Sequence, residues 1–207
     1  MAGGLSALGV YGTLKFGFNT SLMPVEHFLT KHGLLKPDDI TRLVEHMDQT
    51  GDLFGSKIIA KAWTDPEFKS ALMKNANKAI SESGITVNGI PFQPENYEIR
   101  VVENTESVHH FVVCTLCSCY PINLLGNAPE WYKSLEYRYR AIYQPRALLE
   151  EFGLTIPQEV KVKVHDSNRD IRYIVMPQAP KKPAGVENLD ALVTRDLMIG
   201  VRRTLDL

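Results

Sequence analysis

The chain reads as an α+β protein, an N-terminal helical segment followed by a β-rich half, and three observations point there. Residues 24–84 carry helix caps and apolar residues at spacings of three and four. Residues 97–102, 160–164 and 171–176 alternate or run apolar like strands. Between them, all three cysteines fall within six positions, in Val112-Val113-Cys114-Thr115-Leu116-Cys117-Ser118-Cys119-Tyr120-Pro121.

Taken in order, residues 1–23 form a glycine-rich arm with Gly3, Gly4, Gly9, Gly12 and Gly17 and the single charge of Lys15. It lacks the basic start of a signal peptide and reads as a flexible arm suited to docking on a partner. Pro24 opens a helix that stops at Gly33, and Pro37-Asp38-Asp39 starts a second with Ile40, Leu43, Val44 and Met47 on one face. Thr50-Gly51-Asp52 breaks it. Residues 57–63 are apolar enough for a buried helix or a strand. Thr64-Asp65-Pro66-Glu67 is a helix start in which Thr64 caps and Glu67 reaches back, and the helix is expected to run through Phe68, Leu72 and Ile80 to Gly84.

After Gly84 the pattern changes. Asn88-Gly89 signals a hairpin turn. Residues 97–102 and 111–114 read as strands, and residues 131–143 as a polar-aromatic stretch. Residues 145–152 form a short helix that stops at Gly153. Residues 160–164 and 171–176 are further strands, residues 177–185 a proline-lysine loop and residues 189–193 a short closing helix. The expected organisation is an arm over 1–23, a helical segment over 24–84 and a metal-binding domain over 85–207.

Composition narrows the classes. With 44% hydrophobic residues the chain can bury a sizeable core. A net charge of −1 with no basic stripe argues against nucleic acid. No apolar run approaches a membrane span. Three clustered cysteines cannot form a disulfide framework within the chain, so a cytoplasmic protein is expected.

A spacing of three and then two residues on a tight turn lets three thiols converge, and thiolates favour soft or borderline cations. Structural zinc and iron–sulfur clusters ordinarily take four ligands. The fourth donor is therefore His109 or His110, just upstream, or the backbone itself. The amides of Ser118 and Cys119 lie between two thiolates, and only a strongly polarising, trivalent ion would hold them deprotonated. A redox-sensing thiol cluster and buried structural cysteines remain alternatives. His109 and His110 also suit hydrogen-bonded packing, as does His165 at a strand end. His27, His32 and His46 read as solvent-facing, and Trp63 as core.

The loop Val113-Cys114-Thr115-Leu116-Cys117-Ser118-Cys119-Tyr120-Pro121 resembles the metal-binding loop of the α subunit of cobalt-type nitrile hydratases. The γ subunit of thiocyanate hydrolase carries nearly the same loop. The likeness takes in residues 60–68, 102–105, 108–110, 145–146, 151–153, 166–167 and 193–201, and so covers roughly residues 35–201. It implies a layered α-β-β-α domain of that type. It also implies a low-spin trivalent metal held by Cys114, Cys117 and Cys119 with the amides of Ser118 and Cys119. Thr115, in place of serine, fits cobalt better than iron. Cys117 would carry a sulfinic acid and Cys119 a sulfenic acid whose oxygen is the family's nucleophile, Cys117 and Ser118 sharing the catalytic loop. A β-type subunit would supply arginines in trans, in a heterodimer or heterotetramer, and an activator protein would load the metal.

Some positions depart from that pattern. Ile122 stands where nitrile hydratases usually place a pocket tryptophan, and the stretch Val164-His165-Asp166-Ser167-Asn168 also lacks the usual tryptophan. Gln93 matches a pocket glutamine loosely, Tyr120 could support the cluster through its hydroxyl, and Arg172 suits a carboxylate partner. The expected function is hydration of a nitrile to its amide. Hydrolysis of thiocyanate to carbonyl sulfide and ammonia is the alternative, and a zinc module of three cysteines and one histidine is the non-enzymatic reading.

Overall fold

A computed structural model describes residues 31–34, 54–94, 96–117, 119–181 and 188–204. The chain divides into two compact units, residues 1–50 and 51–207. The arm, the helices expected over 24–32 and 37–47 apart from residues 31–32, the break at 50–52 and Ser118 lie outside the described residues. Gly33 takes φ 70°, as a helix stop requires.

Helix α1, Phe54–Thr64, resolves the ambiguity over residues 57–63. It buries Ile58, Ile59 and Ala62 along one face. It packs so closely that a Cβ on Gly55 would stand 2.6 Å from Met198 Sδ and 2.7 Å from the Leu124 carbonyl oxygen.

Two expectations about the next helix are corrected. The N-cap of α2, Pro66–Lys74, is Asp65, whose carboxylate accepts from Phe68 N at 2.9 Å. Thr64 instead closes α1, its hydroxyl donating to the carbonyls of Ala60 and Lys61. Pro66 has no N–H to give and suits the first helical position, which leaves the residue before it as the cap. The helix also does not continue to Gly84. Asn75 is extended, and its side chain accepts from Lys78 N to begin α3, Ala76–Glu82. A short amide side chain offers the backbone a competing bond, and here it breaks one helix into two. Asn77 then ties α3 to the next strand, donating to Tyr97 O and accepting from Ile99 N at 2.7 Å.

The Asn-Gly turn forms as expected. β1, Thr86–Val87, pairs antiparallel with β2, Ile90–Pro91, and Asn88 and Gly89 take φ of 51° and 77°. Four longer strands make two parallel pairs. β3, Glu98–Glu103, pairs with β6, Ile171–Met176, while β4, Val108–Val113, pairs with β5, Lys161–Asp166. Parallel pairing demands a long crossover. The crossover from β4 to β5 holds the cysteine loop and then α4 (Ile122–Leu125), α5 (Glu130–Lys133), α6 (Leu135–Tyr143) and α7 (Pro145–Glu151). The two pairs contact each other through β3, β4 and β6, with α2 and α3 against β3 and α7 against β5. This is the α+β arrangement of helix, sheet, sheet and helix.

The polar-aromatic stretch is helical because alternate faces differ. Tyr137 and Ala141 of α6 are buried, while Tyr139 and Tyr143 are exposed. Ser134 caps α6 by accepting from Tyr137 N. Trp131 meets Tyr137 and Phe152 edge-on at 4.9 and 4.8 Å, making an aromatic core beneath the crossover. Past Gly153 at φ 80° the chain enters β5. The closing helix is a 3-10 turn, Leu189–Leu192, and the unforeseen α8, Arg195–Ile199, follows with Thr194 as its cap. Among the described residues no helix is long and apolar enough to cross a membrane.

His109 is a packing histidine. Its Nε2 donates to the Gly200 carbonyl at 2.7 Å, and its Nδ1 lies 3.3 Å from the Asn104 amide, which holds it neutral. Burial lowers its pKa to about 4. The unfolded state therefore binds the extra proton first, and stability should fall as pH drops from about 6.5 toward 4, by roughly 3 kcal/mol at most. Thermal melts between pH 7 and 4.5 should show this decline, and His109→Gln should make it shallower, leaving the part due to His110 and His165, whose pKa values burial also lowers. Gly200 itself sits at φ 90°, and a Cβ there would lie 2.2 Å from the His110 carbonyl oxygen and 2.7 Å from Phe111 Cα. Because both obstacles are backbone, Gly200→Ala should cost about 3 kcal/mol or more in chemical denaturation.

Candidate metal centre

The loop starts where β4 leaves the sheet. The β4–β5 register sets Val113 opposite Asp166, and Ser167 N donates to the Val113 carbonyl at 2.7 Å. Asp166 thereby reaches the first loop residue. One of its oxygens accepts from Thr115 N at 2.9 Å and the other from the Thr115 hydroxyl at 2.5 Å. Cys114 is fully buried at the strand end. Cys117 N donates to Cys114 Sγ at 3.2 Å, a turn that folds the second cysteine over the first.

The three sulfurs converge as the spacing predicts. Cys114 Sγ lies 3.1 Å from Cys117 Sγ, which lies 2.6 Å from Cys119 Sγ, and all three fall within 4.8 Å of one another. Cys117 is exposed and Cys119 partly buried, while Leu116, just before Cys117, is 90% exposed. Among the described residues no histidine joins the set. His109 points to Gly200, and His110 Nδ1 lies 2.6 Å from His165 Nε2 with the rings stacked. A histidine as fourth ligand is thus corrected, because both imidazoles are engaged elsewhere.

Two tyrosines that the sequence did not single out hold this region. Tyr132 donates to the Cys119 carbonyl at 3.2 Å, and Tyr137 to the Val112 carbonyl at 2.6 Å. The hydroxyl of Tyr120 donates to Leu125 O at 3.4 Å, and its ring packs on Tyr132 at 5.1 Å. The signal was the run of aromatics at 131–143, which reads as helix face or core and does not disclose where a hydroxyl ends. Ile122 opens α4 at 56% exposure, and Gln93 is exposed after β2.

Crowded sulfurs cannot all ionise alike. A hydrogen bond from Cys119 lowers the Cys117 pKa, with a further one from Cys114. Burial, then the bond to Cys117, pushes Cys119 up to about 12. Arg172 lowers both, its guanidinium stacked over the Tyr97 ring at 4.6 Å with Nε and Nη1 buried and unbonded among the described residues. A cation among the sulfurs would offset the burial and the neighbouring sulfurs that hold Cys119 protonated, and three thiolates suit a soft or borderline ion. The donor set fits a metal.

A family model described as "Nitrile hydratase, alpha chain" matches residues 18–202. This chain belongs to the nitrile hydratase α-chain family. It is 44% identical over 181 residues to the cobalt-containing nitrile hydratase subunit alpha of Pseudonocardia thermophila, covering 86% of each chain. It is 40% identical over 186 residues to the thiocyanate hydrolase subunit gamma of Thiobacillus thioparus, covering 86% of this chain and 76% of that one. Among solved structures, a double mutant of the Fe-type nitrile hydratase from Comamonas testosteroni Ni1 superposes with TM-score 0.67 at 33% identity over 89% of each chain.

Removing the grip of Asp166 tests the geometry. Asp166→Ala should lose both bonds to Thr115 and lower metal content per chain several-fold, measured by elemental analysis. Thr115→Val, which keeps the backbone bond, should have a smaller effect.

Proposed function

We propose that this chain is the α-type subunit of a cobalt-dependent nitrile hydratase that adds water across a nitrile to give the amide. The observation that carries the reading is the convergence of Cys114, Cys117 and Cys119 within 4.8 Å in a chain 44% identical to a cobalt-containing α subunit. The ligands would be those three sulfurs and the amide nitrogens of Ser118 and Cys119, which a strongly polarising, trivalent ion would hold deprotonated. When bound, such an ion supplies Lewis acidity toward a nitrile or a water.

This chain's own residues do the rest. Cys117, exposed and of lowered pKa, is the sulfur that oxidant reaches most readily and would carry two oxygens as a sulfinic acid. Cys119, partly buried, would carry one as a sulfenic acid, whose oxygen is the nucleophile or directs it. Asp166 holds the loop's entry to that geometry. Ile122 and Gln93 would border the substrate, and Tyr120 would brace the loop from below.

The sulfur face is exposed at Leu116 and Cys117. A β-type subunit would cover it and bring cations to the oxidised sulfurs, and an activator protein would load the metal in the cytoplasm. Thiocyanate hydrolysis is the second reading. It is favoured by Ile122 in place of a tryptophan and by the 40% identity to a γ subunit.

The test is a product assay on the native assembly, offered a small nitrile and, separately, thiocyanate, with metal analysis alongside. Amide from the nitrile and about one cobalt per chain is the expected result. Carbonyl sulfide and ammonia from thiocyanate, with the nitrile untouched, would move the chain to the second reading. Zinc at one per chain without cobalt or iron would reject both.

A further inference from the structure

The two arms of the cysteine loop are held differently. The entry arm is tied by Asp166 to Thr115 and by the Cys117 amide to Cys114 Sγ. On the exit arm the Tyr132 hydroxyl donates to the Cys119 carbonyl oxygen at 3.2 Å, while the Cys119 amide faces the Cys117 sulfur. Tyr132 is itself fixed. It is 1% exposed, and its ring is wedged between Tyr120 at 5.1 Å, Tyr137 at 5.6 Å and Trp131 at 6.1 Å. It belongs to α5, whose final residues are followed by the Ser134 cap of α6. On so immobile a ring the hydroxyl oxygen is fixed in place, between the Cys119 carbonyl and the Ser167 side chain.

We propose that Tyr132 is a positioning residue that sets Cys119 in ligand geometry before a metal arrives. Fixing the Cys119 carbonyl restricts the backbone torsion that aims its thiol and its own amide at the other two sulfurs. Without that bond more of the ordering of residue 119 falls on the metal–ligand contacts, and freezing one residue's backbone carries an entropic cost comparable to a hydrogen bond. The rings of Trp131, Tyr137 and Phe152 make the buried wall that keeps Tyr132 in place.

The inference rests on the cobalt-site reading above, and the experiment separates the two. In the native assembly, cobalt content is measured for wild type, for Tyr132→Phe and for the exposed control Tyr143→Phe. Cobalt loss to a chelator is then timed, and the sulfur-to-cobalt absorption band is recorded. Tyr132→Phe should release cobalt about tenfold faster and shift the band, with Tyr143→Phe unchanged; a purely structural tyrosine would lower the melting temperature and leave the band alone. A second variant carries 3-fluorotyrosine at position 132, a stronger donor of nearly the same size, and should slow cobalt loss. Wild type that holds cobalt, with Tyr132→Phe matching it in loss rate and band, overturns the proposal and leaves the site reading intact. Wild type without cobalt overturns both. If Tyr132→Phe does not fold, the fluorinated variant decides, and an unchanged loss rate and band there overturns the proposal.

Discussion

The register between β4 and β5 is the constraint on which the cysteine loop depends. Parallel strands pair residue by residue, so setting Val113 beside Asp166 brings a carboxylate to the point where the chain turns out of the sheet. Both of its oxygens are then used on one residue, Thr115. A slip of one position would exchange side chains across the faces of the strand and present the His165 imidazole in its place. Imidazole cannot accept two bonds from one residue as a carboxylate does. The loop's entry direction, and with it the burial of Cys114, is a consequence of strand pairing with a residue 51 positions beyond Thr115 rather than of the loop's own preferences.

Electrostatics complete the picture. Three thiols this close resist ionisation together, and the balance is uneven, with Cys117 eased and Cys119 held back. The guanidinium of Arg172, one residue beyond the start of β6, favours the charged form of both from within the chain. The fold thus supplies part of the positive field that the sulfurs call for and leaves the larger share to a cation. Packing and charge meet at one end of the two sheets, where a buried sulfur, a partly buried one and an exposed one form a graded set.

What was legible in the sequence was what local spacing decides. The convergence of three sulfurs follows from their offsets in a turn, and the hairpin follows from Asn88 and Gly89, which tolerate positive φ. The four long strands followed from alternation or apolar runs. Where a choice between two local bonds was needed, the reading failed. Thr64 and Asp65 are both good caps, and Pro66 decides between them; Asn75 was absorbed into a helix that it instead interrupts. Long-range partners were out of reach altogether. Nothing near Tyr132 in sequence says that its hydroxyl meets Cys119, and nothing near His109 says that its ring is closed by Gly200, 91 positions on. The five-residue helix α8 was too short to register as a pattern.

The order in which these supports occur along the chain has a consequence for its synthesis. The sulfurs are complete at Cys119, Tyr132 and Tyr137 follow soon after, but Asp166 comes 47 residues beyond the last cysteine. At ribosomal rates of roughly 5–20 residues per second, about 2 to 9 s pass before the carboxylate that anchors the loop has been made. During that interval the thiols hang from a strand with no mate, and β4 gains its neighbour only as β5 emerges. The nascent chain therefore passes through a stage in which all its sulfurs are present and their enclosure is not, a period open to ion or oxidant alike.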